Sequence, residues 1–320
     1  TRQLLKSYAD NNPGFIKYVH RDNRHGFKPG ALKNAMKITK GEIMVIFDAD
    51  WIPKKDFLRR VIEPFGDPRV AVVQTRQGFY NKDANLITRF AAYTLMVYHT
   101  IVMPINNKVN CVFFCGTAGA IRRSHFEEVG GWNLCSITED SDLSVKLLMK
   151  GYKNVYLNYE TPSEVPATLE SFIKQQMRWC YGNTRVFFDH AKNILFGKGL
   201  RPVQRPMIMF LTLANITAPF VVLMTLFGFV GWLLGEPALF NVQDFVSMVV
   251  KFIYTGGFLL IGGLTLFKHG RLNEFKHLVV SALTLGIVLS VAQSVAFIKA
   301  VFNRGLGWYC TPKDANMAML

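Results

Sequence analysis

Two carboxylates, Asp48 and Asp50, close the apolar run Ile43-Met44-Val45-Ile46-Phe47 at spacing i, i+2. The run follows a polar turn at Thr39-Lys40-Gly41 and predicts a buried strand. Where a strand ends the backbone loosens into a loop, so both side chains can converge on one object. Unpaired anions are costly to bury, and a cation or water has to meet them. Hard divalent cations take oxygen ligands and keep few protein contacts. Mg2+ or Mn2+ carrying a nucleotide-sugar diphosphate therefore fits, with a solvated Asp-x-Asp turn as the competing reading.

A second acidic cluster, Thr138-Glu139-Asp140-Ser141-Asp142, opens a helix that runs to about Lys150. Thr138 as a cap, with acids in the first turn, accounts for it structurally. Chemically, one of these acids suits a general base that deprotonates an acceptor hydroxyl. Gln175, Arg178 and Trp179, at i, i+3 and i+4, share one helical face. Indole stacks on a pyranose and guanidinium pairs with phosphate, although a helix at a membrane interface also uses Arg and Trp. The basic loop Arg21–Gly30, with Lys28 and Gly30, leads into a helix at Ala31–Ile38 and suits an anion, or is an exposed turn. Phe113–Ala120 reads as a strand followed by small residues, Gly116 and Thr117 among them, which permit close approach of a ligand or tight packing.

The elements that position these groups alternate. A helix tail at Leu4–Ala9 and a short strand at Phe15–His20 precede the Asp48/Asp50 strand. A helix over Lys55–Phe65, a strand at Val70–Gln74, a strand at Tyr152–Leu157 and a helix at Leu169–Tyr181 follow. This order predicts an α/β fold with a parallel sheet, whose ligands sit beyond the carboxyl ends of the strands. Asn85–Met103 is apolar, but Arg89, His99, Tyr93 and Tyr98 interrupt it, and it predicts a buried helix.

The net charge of +15 accompanies 50% hydrophobic residues, including 26 Phe. A nucleic-acid partner would explain the charge but not the apolar content. A membrane protein with a basic cytosolic face explains both. Met207–Leu234 and Phe245–Phe267 are long enough to span a bilayer, Lys251 snorkelling near the end of the second. Arg201 and Arg205 precede the first and Lys268, Arg271 and Lys276 follow the second, which places both flanks in the cytosol. A third apolar stretch, His277–Val301, carries Ser290, Gln293 and Ser294 on one face; it predicts an interfacial or re-entrant helix rather than a span. The five cysteines lack Cys-x-x-Cys spacing, which argues against zinc and for a reducing compartment. The chain begins at Thr1 without Met or a signal peptide and reads as a fragment.

In order, these motifs resemble the processive family-2 glycosyltransferases, the group of cellulose, mannan and hyaluronan synthases. The likeness runs from about Asp22 to Lys313. Phe27-Lys28-Pro29-Gly30-Ala31-Leu32 is similar to the family's Lys-x-Gly nucleotide loop, and Asp48-Ala49-Asp50 to its metal and nucleotide-sugar motif. Phe114-Cys115-Gly116-Thr117 resembles the segment at the acceptor end. Thr138-Glu139-Asp140 resembles the Thr-Glu-Asp motif, and Gln175-Gln176-Met177-Arg178-Trp179 resembles Gln-x-x-Arg-Trp. Trp308-Tyr309-Cys310-Thr311-Pro312-Lys313 is similar to the gating loop Phe-x-Val-Thr-x-Lys, with Trp308 and Cys310 as departures.

The resemblance implies a GT-A-type α/β domain over 1–165 that lacks its first strands and an early nucleotide-contacting Asp. Interfacial helices over 166–200, a membrane helix bundle over 201–302 and a gating-loop-like segment over 303–320 would follow. It implies inverting transfer from a nucleoside-diphosphate sugar, UDP-glucose type or GDP-mannose, to a growing β-linked polysaccharide. Asp140, with Glu139 beside it, would be the catalytic base. Lys28, Gly30, Asp48, Asp50, Gln175, Arg178, Trp179, Thr311 and Lys313 would hold the donor. Asp50 and Asp48 would hold Mg2+ or Mn2+, and Cys115, Gly116, Thr117 and Trp179 would meet the acceptor. The expected setting is the plasma membrane, multi-pass, with the catalytic domain cytosolic, a lipid bilayer around it and export subunits as partners. A non-processive transferase to a lipid carrier and an inactive scaffold are the rivals.

Overall fold

The computed structural model describes residues 2–235 and 245–307. The chain opens with α1 (Arg2–Asn11), and α2 (Phe27–Met36) follows an irregular stretch. The expected strand at Phe15–His20 does not form: it belongs to no ladder of the sheet, and Phe15 is 95% exposed. Next come β1 (Ile43–Ile46), α3 (Phe57–Ile62) and β2 (Val70–Phe79), which is longer than its apolar run. Then α4 (Leu86–Val97) passes through a π-helical turn, Tyr98–Val102, into α5 (Met103–Lys108). After β3 (Gly119–Arg122) and α6 (Arg123–Glu128), α7 (Glu139–Met149) and β4 (Lys153–Ser163) complete the α/β unit.

The sheet has the order β1-β3-β2-β4. Only β2 and β4 pair in parallel; β3 runs antiparallel to both β1 and β2, which corrects the expectation of a parallel sheet. The reason lies in the segment before β3. Residues 115–118 cross the carboxyl end of β1, where Thr117 meets Asp48, so the strand that follows must run back the other way. For the same reason the strand expected at the start of Phe113–Ala120 does not form, and only Gly119 and Ala120, among the small residues at its end, join a ladder. Alternation of side chains then sorts the layers. Val72 and Ile121, opposite one another, pack with Leu143 and Leu147 of α7. Val73 and Ala120, the next pair, pack with Phe57 and Val61 of α3.

Thr168 caps α8 (Leu169–Phe196), which at 28 residues far outruns the expected Leu169–Tyr181. It is followed by α9 (Gln204–Leu213), a 3-10 turn at Ala214–Ile216, α10 (Thr217–Leu233), α11 (Phe245–Lys268) and α12 (Phe275–Val301). Among the described residues three helical segments are long and apolar enough to cross a membrane: Leu86–Lys108, Gln204–Leu233 and Leu272–Val301.

The ends of the first and third are tied down. At one end of Leu86–Lys108, Asn85 donates to Ala167 O (3.0 Å) and Asn81 to Val165 O (2.8 Å). At the other, Asn107 Oδ1 accepts from the backbone of Tyr156 in β4 (2.8 Å). Between them Phe90 and Ala91 pack on Val165 and Phe172. Less than half of this helix is buried: its ends are held by the α/β unit, but Phe90 and Tyr93 pack on Phe258 and Leu266 of α11 and Leu278 of α12, so the buried helix that its interrupted sequence predicts is realised only in part. At the start of α12, Glu274 accepts from Tyr93 of α4 (2.9 Å) and pairs with Arg271, which lies 3.8 Å from Asp83. At its far end, Arg185 of α8 donates to Ala300 O (3.2 Å), and Leu306 packs with Ile137 and Tyr181. Between its ends α12 is an uninterrupted helix of 27 residues. The expected gating-loop segment Trp308–Lys313 lies outside the described residues.

Candidate active site

The end of β1 meets two other segments at Lys28. Its ammonium donates to Asp48 Oδ1 (2.6 Å) and to Gly116 O (2.9 Å), while the Asp48 backbone N–H donates to Thr117 Oγ1 (2.9 Å). Gly116 has a φ of +80°, and a Cβ there would lie 2.9 Å from Asp140 Oδ2. Both facts favour glycine, and the second puts the Asp140 carboxylate directly against the segment that Lys28 holds. Gln74, buried on β2, fixes that segment from behind. Its Oε1 accepts from Cys115 N (2.8 Å), and its Nε2 donates to Thr75 O (3.0 Å) and Thr117 O (3.1 Å). The Cys115 thiol donates to Phe113 O (3.8 Å).

The acidic cluster divides between two environments. Burial pushes the Glu139 carboxyl up to about 7, with Asp140 beside it adding repulsion against the pull of Lys28 and Arg178. Burial likewise raises Asp140, and the Ser141 N–H, Lys28 and Arg178 offset this without cancelling it. Asp142 points elsewhere. Its Oδ1 lies 2.8 Å from His190 Nε2 on α8, and its Oδ2 forms an ion pair with Lys146 at 3.2 Å. Burial acts upward on Asp142 too, but His190 and Lys146 outweigh it and hold the carboxyl below its ordinary range. Thr138 does not cap α7 as the sequence suggests; its hydroxyl is buried without a hydrogen-bond partner among the described residues, pressed by Gly182 of α8.

α8 brings its Gln-x-x-Arg-Trp face to this region, since the Arg178 charge acts on both Glu139 and Asp140. Gln175 Oε1 is buried without a hydrogen-bond partner among the described residues, an acceptor suited to a hydroxyl of a bound sugar. Trp179 is half-buried on the same helix. Asp50 Oδ2 accepts from Glu164 N (3.3 Å) just beyond β4. No group of three or more His, Cys, Asp or Glu side chains converges among the described residues. Asp48 and Asp50 nevertheless carry carboxylate oxygens, the ligand type that hard divalent cations take when phosphate oxygens and water supply the rest.

Lys28, Asp48, Cys115, Gly116, Thr117, Glu139, Asp140 and Arg178 thus come together from segments scattered along the chain. Gly30 has a local role: a Cβ on it would lie 2.2 Å from His25 O, so it is needed by the loop's own packing. Thr311 and Lys313 lie outside the described residues. Sequence reasoning passed over Gln74, Glu164 and His190. For Gln74 there was a signal, a polar side chain closing the buried run Val70-Ala71-Val72-Val73.

Comparison with known proteins bears on this arrangement. The family model for glycosyl transferase family group 2 matches residues 43–264. Glucomannan 4-beta-mannosyltransferase 2 of Arabidopsis thaliana is 39% identical over 193 residues, 58% of this chain and 36% of its own length. Glucomannan 4-beta-mannosyltransferase 1 of Oryza sativa subsp. japonica is 42% identical over 191 residues, 57% of this chain and 36% of its own length. The chain therefore spans about a third of these curated relatives. A mannosyltransferase from Pyrobaculum calidifontis, solved with GDP-Man and Mn2+, shares the fold with a TM-score of 0.53. That match is 19% identical and covers 95% of this chain and 74% of the other.

Proposed function

The chain belongs to glycosyl transferase family group 2, and on that premise we propose that it transfers a hexosyl group, with inversion, from GDP-mannose to a growing β-linked polysaccharide at a membrane. The placement of Asp140 carries the reading. Its carboxylate lies against Gly116, within the influence of Lys28 and Arg178, and its raised pKa makes it a better proton acceptor than an exposed aspartate. Asp140 takes the proton of the acceptor hydroxyl as that oxygen attacks the anomeric carbon. The bond to the diphosphate breaks, and its electron pair leaves with the diphosphate. Asp50 would hold a divalent ion, with Asp48 toward the nucleotide-sugar, and that ion would supply charge neutralisation for the leaving group. Lys28 fixes Asp48, and Arg178 adds positive charge beside the reacting centre. Gln175 and Trp179 orient the acceptor sugar.

The relatives named above as glucomannan mannosyltransferases favour GDP-mannose over UDP-glucose. Membranes containing the complete protein, given each radiolabelled donor, test this. The expected product is a polymer, made from GDP-mannose and lost on chelation of divalent ions. A single sugar on an extractable lipid would instead establish the non-processive transferase, and absence of transfer the scaffold. Asp50→Ala should abolish divalent-dependent binding of nucleoside diphosphate in titration calorimetry; unchanged affinity would remove the metal role.

Residues 1–165 form the catalytic domain in this reading, 166–200 the interfacial helices, 201–302 the membrane region and 303–320 the gating segment. Both ends of α12 are tied to the catalytic side, at Tyr93 and at Arg185. A helix crossing about 30 Å of hydrocarbon would separate those ends, so α12 lies along the interface while α10 and α11 cross. Leu306, near the end of the described residues, lines a cleft with Gly26, Phe27 and Pro29 of the Lys28 loop. A membrane-impermeant maleimide should fail to label Lys313→Cys on intact cells, in a background lacking the native cysteines. Labelling from outside would overturn the gating assignment.

A further inference from the structure

The stripe of α8 that carries Gln175, Arg178 and Trp179 continues beyond the reaction centre. Gly182 follows at i+7 from Gln175, then Val186, His190 and Ile194 at successive intervals of four. Each of these four meets another part of the fold. A Cβ on Gly182 would lie 2.3 Å from Thr138 Cγ2 and 2.5 Å from its hydroxyl, so the helix touches the residue that leads into Glu139 and Asp140. Val186 and Ile194 pack with Val145 and Leu148 of α7. His190 meets Asp142 at 2.8 Å, with side chains only 17% and 3% exposed. Lys146 lies 3.2 Å from the other Asp142 oxygen and donates to Gly131 O (2.8 Å), and Asn133 donates to Asp142 Oδ1 at 3.4 Å.

We propose that His190 is a positioning residue for the transfer reaction: through Asp142, with Gly182 seated on Thr138, it fixes the rotation and register of α8 so that Arg178 faces Asp140. The apolar part of the seam cannot do this alone, because aliphatic contacts tolerate sliding and a directional hydrogen bond does not. A slip of one residue turns a helix by about 100° and advances it by about 1.5 Å. That would carry Arg178 off the Asp140 side altogether. His190 is three turns from Arg178 and contacts Asp142 in the same helical turn as Asp140. One pair therefore ties both halves of the site to a common frame, outside every motif that approaches the substrates. A misplacement near 1 Å is enough to cost about 10²-fold in rate.

The proposal rests on the glycosyl-transfer reading, and the test separates the two. Transfer, donor KM and nucleoside-diphosphate binding are measured on membranes containing the complete protein, normalised to nucleotide-binding sites so that unfolded material is not counted. His190→Leu should lower turnover about 10²-fold while nucleoside-diphosphate binding weakens by no more than about 10-fold, since Lys28 holds Asp48 and Gly116 independently of His190. His190→Gln, which still offers a donor to Asp142, should restore turnover to within about 5-fold. Gly182→Ala should also lower turnover, and Thr138→Ala, which deletes both the methyl and the hydroxyl that a Cβ would strike, should partly restore it in the double variant. Wild-type turnover in His190→Leu overturns the proposal, as does a loss that His190→Gln does not repair. A parent protein that transfers no sugar at all removes the functional reading and the proposal with it.

Discussion

Asp140 and Asp142 stand two residues apart in the first turn of α7, yet the molecule treats them oppositely. Burial acts upward on both. On the cleft side, Lys28 and Arg178 act on Asp140 without cancelling that effect, and its carboxyl stays raised. On the seam side, His190 and Lys146 contact Asp142 directly, and its carboxyl is lowered. Burial alone therefore does not determine what a carboxylate does. A carboxylate whose burial is only partly offset keeps the raised proton affinity that a base would need, and one held directly by a histidine and a lysine becomes a fixed anchor.

The largest expected effect breaks this comparison most directly. Asp140→Asn keeps shape and removes proton acceptance, so polymer synthesis should fall by about 10²–10⁴-fold while nucleoside-diphosphate binding survives. Asp142→Asn should cost less in turnover but more in stability. It leaves Lys146 without its counter-ion, at about 1–3 kcal/mol in denaturant unfolding of the purified protein. If Asp142→Asn is the dead variant and Asp140→Asn the active one, the roles are reversed.

A smaller effect concerns pH. The base must be ionised to act, so transfer should rise with pH along a limb displaced above the ordinary carboxylate range, Glu139 titrating at about 7. Stability should move the other way. For raised carboxyls the stabilisation is complete below their unfolded values and is lost as pH rises through the folded ones. Rate profiles and thermal unfolding over the same interval should therefore cross; parallel profiles would contradict the raised assignment. Arg178→Gln, which removes one of the cations that pull Asp140 down, should shift the acidic limb further upward, read from the midpoint of the limb because the plateau itself should fall by at least the about 10²-fold expected for His190→Leu.

Much of the cleft side was legible from residue types because its chemistry is local. Asp48-x-Asp50, Glu139-Asp140 and Gln175-x-x-Arg178-Trp179 each hold reactive groups within one strand end or one helical turn. The seam was not legible. His190 meets Asp142 across 48 residues, and a histidine among Phe187, Phe188 and Asp189 carries no mark of that partner. Hydropathy located β1 and β2, but apolar runs have no direction, so the reversed β3 had to come from the geometry of Thr117 and Asp48. Leu86–Lys108 shows both limits together: its Arg and Tyr residues argued against a span, but the grip of Asn81, Asn85 and Asn107 was visible only in the fold.

That grip has a consequence for how the protein is made. The ribosome delivers Leu86–Lys108 before β4, and the last partner of its flanking asparagines, Ala167, emerges about 60 residues later, roughly 3–12 seconds at ordinary synthesis rates. Throughout that interval a segment apolar enough to enter a bilayer is exposed without the strand that claims it. The nascent chain faces a race between sheet completion and insertion, and the asparagines at the two ends decide it. Apolar replacements at Asn85 and Asn107 should therefore show their damage first in newly made protein, as chains whose Leu86–Lys108 helix has been captured by the membrane.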